Sequence, residues 1–178
     1  TLAGLLLAVE GMHLVLSRTG LLDLILMFWV LAAFGLLLLD RDRTRRLLAE
    51  RVSRDGIDAM ATEWGPRLGL RPYRWAAAVA LGLACSVKWS GLWFLAFFAI
   101  MSVVWDISAR RAVGVRRPWV ATILRDAPVA AVSMVAIAAV VYLASWSGWL
   151  LTDGGYDRAW AAGQPPSFIP SALRSLIH

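Results

Sequence analysis

Apolar residues fall into long runs along this chain, and charged residues collect between them. Residues 2–16 are apolar apart from a few polar positions, of which Glu10 and His13 are the ionisable ones. Residues 21–39 carry one charge, Asp23. Residues 75–105 form a single tract broken by Lys88, and residues 128–151 carry no charge at all. A membrane-crossing helix needs roughly 20 apolar residues, with a lower limit of about 17. The pattern predicts an all-α membrane protein, a polytopic bundle of transmembrane helices treated as one domain over residues 1–178. About five helices are expected, over 2–16, 21–39, 75–87, 90–105 and 128–151.

The 75–105 tract is too long for one crossing. As a straight helix it would extend about 46 Å at 1.5 Å per residue, against a hydrocarbon core of about 30 Å. Charge separates a tilted helix from a hairpin. Residues 40–74 carry nine arginines against six acids, and residues 106–127 five arginines against two. Excess Lys and Arg marks the cytoplasmic side. One crossing would put these basic loops on opposite sides, whereas a hairpin puts both in the cytoplasm. The hairpin is therefore expected, with its bend at 88–91, where Gly91 supplies an unusual backbone and Lys88 snorkels out of the apolar layer. Residues 17–20, the bend and 152–178 then share the external face. Residues 43–54 read either as an amphipathic helix on anionic headgroups or as a plain solvated face.

Composition fits this picture. Sixty per cent of residues are hydrophobic and mean hydropathy is +0.66, where a soluble domain averages about 45–50% apolar. Ten tryptophans suit membrane interfaces. The net charge of +6 sits in loops between apolar runs, which argues against a nucleic-acid partner. One cysteine, Cys85, excludes an internal disulfide or a cysteine-based metal site. No P-loop or GxGxxG is present, and no cofactor is expected. The chain opens on Thr1 within an apolar stretch and is read as an internal fragment of a longer protein.

Ionisable residues at a membrane are candidates for function. Arg18 and Asp23 lie in Ser-Arg-Thr-Gly-Leu-Leu-Asp. Arg18 is suited to bidentate contact with a lipid phosphate, with Asp23 holding it or meeting a sugar hydroxyl; the structural alternative is an ion pair near a helix N-terminus. Lys88 is either a second phosphate ligand or a lysine that fixes helix depth. Its neighbours Trp89 and Trp93 suit lipid or sugar contact. Glu10 and His13 share a helix face, as a proton relay or as a buried pair. Asp153, with Asp157 and Arg158, occupies a glycine-bearing loop that contacts a sugar or acceptor, or is simply solvated.

Four segments resemble a known family. Residues 10–23, ending in Ser-Arg-Thr-Gly-Leu-Leu-Asp, look like the SR-x-x-LLD region of protein O-mannosyltransferases. Lys88-Trp89-Ser90-Gly91-Leu92 resembles their K-W-[SV]-G-L segment. Residues 146–156 and 169–176 are similar to the bacterial, actinobacterial-type members. The resemblance implies the GT-C fold of glycosyltransferase family 39, here in part. It implies mannose transfer from a polyprenyl-phosphate mannose donor to Ser or Thr of secreted or membrane proteins, at the extracytoplasmic face of the cell membrane. Arg18 and Lys88 match positions near the donor phosphate. The family's acidic base belongs to an external loop upstream of Thr1, so the catalytic residue is not expected in this stretch. Metal dependence, and association with translocation machinery, are left open. Competing readings are another lipid-linked-sugar transferase, a transporter, for which inverted repeats would be expected, and a structural membrane subunit.

Overall fold

A computed structural model describes Gly4 and residues 22–152 of the chain. The described elements are helical in order: α1 (Leu22–Asp55), α2 (Ile57–Met60), α3 (Pro72–Val87), α4 (Gly91–Ala112), α5 (Pro118–Ala121), a π-turn (Thr122–Asp126), α6 (Ala127–Ser145) and α7 (Ser147–Leu151). Contacts divide the chain between Tyr142 and Leu143. The first unit is described here; of the second, the described part is the last turn of α6 and α7, where Trp146 and Trp149 stack edge to face at 6.2 Å.

Three stretches are long and apolar enough to cross a membrane: Leu22–Asp55, Gly91–Ala112 and Pro118–Ser145. About five were expected. The 2–16 segment lies outside the described residues, and Pro72–Val87 has 16 residues, short of a full crossing. The tract 75–105 is divided by Lys88, whose extended backbone (φ −155, ψ 136) ends α3.

The arginine-rich stretches differ from the open loops expected at 40–74 and 106–127. Helix α1 does not stop at Leu39 but continues to Asp55, about 51 Å in all at 1.5 Å per residue. Its charged half buries one face, with Asp40, Thr44 and Leu48 at four-residue spacing. Leu48 joins Met60, Leu68, Ala109, Val113 and Val115 in a small core of its own. The 43–54 stretch continues α1, with Thr44 and Leu48 buried against protein and Arg43, Arg45, Arg46 and Arg54 exposed. Likewise α4 runs on to Ala112 and ends where Gly114 takes φ 76. The 56–71 segment is clasped by the turn after α4, with the amides of Arg116 and Arg117 donating to the carbonyls of Thr62 and Glu63 (3.1 and 3.3 Å).

The main core joins α1, α3, α4 and α6 through Ala33, Leu37, Ala77, Ala78, Leu81, Phe98, Met134 and Ala138. Small side chains dominate on α3, and this lets helix backbones approach closely. Gly82 marks a close approach of α3 to α6: a Cβ there would lie 2.8 Å from the carbonyl oxygen of Ala138 and from Cβ of Val141. Large apolar side chains such as Phe97, Ile100, Val132 and Val140 point outward and are more than half exposed. Water would penalise such a surface; lipid does not.

Candidate functional site at the hairpin bend

The bend is built from local sequence. Lys88 closes α3, its amide donating to Ala84 (3.1 Å), and the amides of Gly91, Leu92 and Trp93 start α4 on the carbonyls of Lys88, Trp89 and Ser90 (2.9–3.2 Å). Gly91 matters for a different reason than the sequence suggests. It is not among the positive-φ glycines; instead, a Cβ would sit 2.7 Å from the Cys85 amide nitrogen and 2.8 Å from the Ala84 carbonyl carbon. The turn closes because nothing projects there.

Lys88 Nζ meets Asp23 Oδ1 at 2.7 Å, with the two side chains 48% and 56% exposed. Asp23 occupies the first turn of α1, where the helix dipole favours an anion. The structure joins Asp23 to Lys88 across 65 positions, a pairing the sequence does not suggest. Trp89 and Trp93, which follow Lys88 in sequence, are 76% and 79% exposed. Beside Trp89 opens an apolar cavity of about 230 Å³, lined by Cys85, Leu92, Leu95, Val135, Ala138 and Tyr142 among others. Arg18, Glu10, His13, Asp153, Asp157 and Arg158 lie outside the described residues. Among the described residues no cluster of three His, Cys, Asp or Glu side chains is placed to hold a metal ion.

A second charged layer caps the other end of the same helices, and sequence reasoning missed it as a unit. Arg71 Nε donates to both Asp40 oxygens at 2.9 Å, its Nη2 also reaches Asp40, and its Nη1 donates to Asp106 at 3.0 Å. Arg74 Nη2 donates to Asp106 at 2.6 Å. Burial alone would lower the Arg71 pKa, but hydrogen bonding to Asp40 and the charges of Asp106 and Asp40 outweigh it, and the net shift is upward. The guanidinium therefore stays charged. Nearby, Arg110 is fully buried and grips Asp126 with two bonds (2.7 and 3.0 Å), while its Nη1 donates to the carbonyls of Trp64 and Pro66 (2.8 and 3.0 Å). Arginines at this end also lie over Trp rings, Arg41 on Trp105, Arg111 on Trp119 and Arg125 on Trp64, at 4.7–5.2 Å. In the sequence these residues read as loop charges. The available signal is spacing: Asp23 to Asp40 and Arg71 to Lys88 are both 17 residues, about 26 Å of helix at 1.5 Å per residue. Two antiparallel helices thus carry complementary charges at both ends of one apolar layer, close to the roughly 30 Å of a hydrocarbon core.

Comparison with known proteins gives relatives along the chain. It is 42% identical over 187 residues to the polyprenol-phosphate-mannose–protein mannosyltransferase of Mycobacterium tuberculosis (strain CDC 1551 / Oshkosh), covering 99% of this chain and 34% of that protein. The protein of the same name from Mycolicibacterium smegmatis (strain MKD8) is 43% identical over 184 residues, with 99% and 35% covered. That of Corynebacterium glutamicum (strain ATCC 13032) is 39% identical over 157 residues, with 88% and 30% covered. No family model and no solved structure matches. The chain spans about a third of the length of the curated relatives it matches. Along nearly all of its length, then, this chain is a homologue of the actinobacterial polyprenol-phosphate-mannose–protein mannosyltransferases.

Proposed function

We propose that this chain is the part of a multi-pass cell-membrane mannosyltransferase that receives the phosphate of a polyprenyl-phosphate mannose donor, at the extracytoplasmic face. The relatives' names support the donor class and a protein acceptor. The observation that carries the reading is the Lys88 ammonium, held at 2.7 Å by Asp23 at the rim of the apolar layer. An ammonium has three donors. One engages Asp23, and the others serve a phosphate.

The chemistry follows from position. An acceptor hydroxyl attacks the anomeric carbon, the bond from that carbon to the phosphate oxygen breaks, and polyprenyl phosphate departs as an anion. A cation fixed where that charge develops lowers the barrier. Lys88 is that cation, Asp23 positions it, and Arg18 adds a second contact. Trp89, with Trp93, offers a flat face to sugar or lipid. The apolar cavity beside Trp89 suits the first isoprene units of the donor. Asp153 meets sugar or acceptor, and a carboxylate elsewhere in the complete polypeptide takes the hydroxyl proton. The arginine-rich end faces the cytoplasm, following the charge asymmetry of the loops.

The test is mannose transfer from polyprenyl-phosphate mannose by the complete polypeptide carrying Lys88→Ala, with Lys88→Arg beside it. Loss of turnover in the first with partial activity in the second supports the role. Unchanged turnover in Lys88→Ala rejects it.

A further inference from the structure

At the arginine-rich end two cavities lie side by side. One, of about 410 Å³, is lined by Arg67, Arg71, Arg74, Arg125, Asp126 and Val129, among others. The other, of about 490 Å³, is a groove along α6 lined by Trp75, Pro128, Val129, Val132 and Ile137 with Ser133. Val129 lines both, so the charged cavity and the apolar groove are neighbours.

Charge within the first cavity does not balance. Asp40 and Asp106 neutralise Arg71 and Arg74, and Asp126 is held by Arg110. Arg67 and Arg125 have no carboxylate partner among the described residues. Arg125 does reach the Gly65 carbonyl at 3.4 Å. Arg74, 3% exposed, also lines the cavity, and its Nε, 3.7 Å from Asp40, lacks a hydrogen-bond partner. Two guanidiniums in excess call for an anion.

The groove has a structural cause. Helices α3 and α6 run in the same direction from the arginine end. They touch where Gly82 meets Ala138 and part toward Trp75 and Pro128. From Val129 to Ile137 the groove follows nine residues of α6, a rise of about 12 Å at 1.5 Å per residue. An ordinary anion would use the cavity and leave this groove empty.

We propose that the two neighbouring cavities hold one anionic phospholipid, its phosphate between Arg67 and Arg125 and an acyl chain in the groove between α3 and α6. Basic pockets between membrane helices bind anionic headgroups in this way. The site is separate from Lys88, at the other end of the helices. It rests on the membrane setting and not on mannosyl transfer, so loss of one reading leaves the other standing.

Native mass spectrometry of the complete polypeptide, released from detergent with phosphatidylglycerol, phosphatidylcholine or inorganic phosphate, tests this. Phosphatidylglycerol should be retained over phosphatidylcholine at equal concentration, and inorganic phosphate should not displace it. The double variant Arg67→Gln, Arg125→Gln should lose about 10- to 30-fold in phosphatidylglycerol affinity. Val132→Trp, which fills the groove and leaves every arginine in place, should weaken it too. All three positions are exposed, so folding should survive. Arg45→Gln, Arg46→Gln removes two exposed arginines elsewhere and should change nothing. Unchanged affinity in the first double variant or in Val132→Trp, equal retention of phosphatidylcholine, or an equal loss in the Arg45, Arg46 control overturns the proposal. Displacement by inorganic phosphate also overturns it, since it marks a phosphate site and not a lipid site.

Discussion

Arg74 on α3 donates a 2.6 Å hydrogen bond to Asp106 on α4, and the two side chains are almost wholly buried. Asp106 also accepts from Arg71, so one carboxylate ties the start of α3 to the last turns of α4. Buried charges are costly unless paired, and removing one partner strands the other. Asp106→Ala should therefore destabilise the protein by about 3 to 5 kcal/mol. Thermal unfolding of the detergent-solubilised protein reads this out, and a shift no larger than that of an exposed-site control such as Asp42→Ala would contradict it.

Arg110 should tolerate no cationic substitute. Its planar fork binds both oxygens of Asp126 while the same guanidinium reaches two backbone carbonyls. A lysine carries the charge but not the fork. Arg110→Lys should cost about 2 to 4 kcal/mol through lost hydrogen bonds to buried groups. Limited proteolysis within 56–71 should accelerate at the same time, because the carbonyls of Trp64 and Pro66 lose their bonds from Arg110.

Helix α3 meets α6 with no room at Gly82. Gly82→Leu should force the helices apart, at about 1 to 3 kcal/mol for an overpacked contact. Ala76→Leu, on an exposed face of the same helix, serves as the control. Equal unfolding temperatures in the two variants would show that the close approach is unimportant.

Asp23→Asn separates a positioning role from a structural one. The amide keeps the shape and loses the charge that holds Lys88. Because the pair is half exposed, the stability change should be under about 1 kcal/mol. Transfer from polyprenyl-phosphate mannose should nevertheless fall about tenfold or more, as a fixed cation is lost from the leaving group. Equal transfer rates in Asp23→Asn and wild type would remove Asp23 from the site.

Sidedness has a direct test. With Cys85 replaced by Ala, a Ser90→Cys variant should react with a membrane-impermeant maleimide added outside intact cells. An Arg116→Cys variant should react after the membrane is opened and not before. The reverse pattern would invert the proposed orientation.

The apolar runs alone determined a helical membrane protein, because a chain in lipid must satisfy its backbone hydrogen bonds within each segment. Lys88 as the break in the 75–105 tract was also legible, since a charge interrupts an apolar run whatever surrounds it. So was the mannosyltransferase resemblance, carried by local motifs around Asp23 and Lys88. What tertiary structure decided is who meets whom. Asp23 and Lys88, 65 positions apart, are brought together by antiparallel packing. Asp40, Arg71, Arg74 and Asp106 read in the sequence as loop charges and form a buried layer. Gly91 reads as a source of backbone freedom, yet its need is steric. Pairing over tens of residues depends on helix direction, register and depth, and hydropathy along a single chain carries none of these. The matching 17-residue intervals record that register, but they become meaningful once the two helices are known to pack side by side.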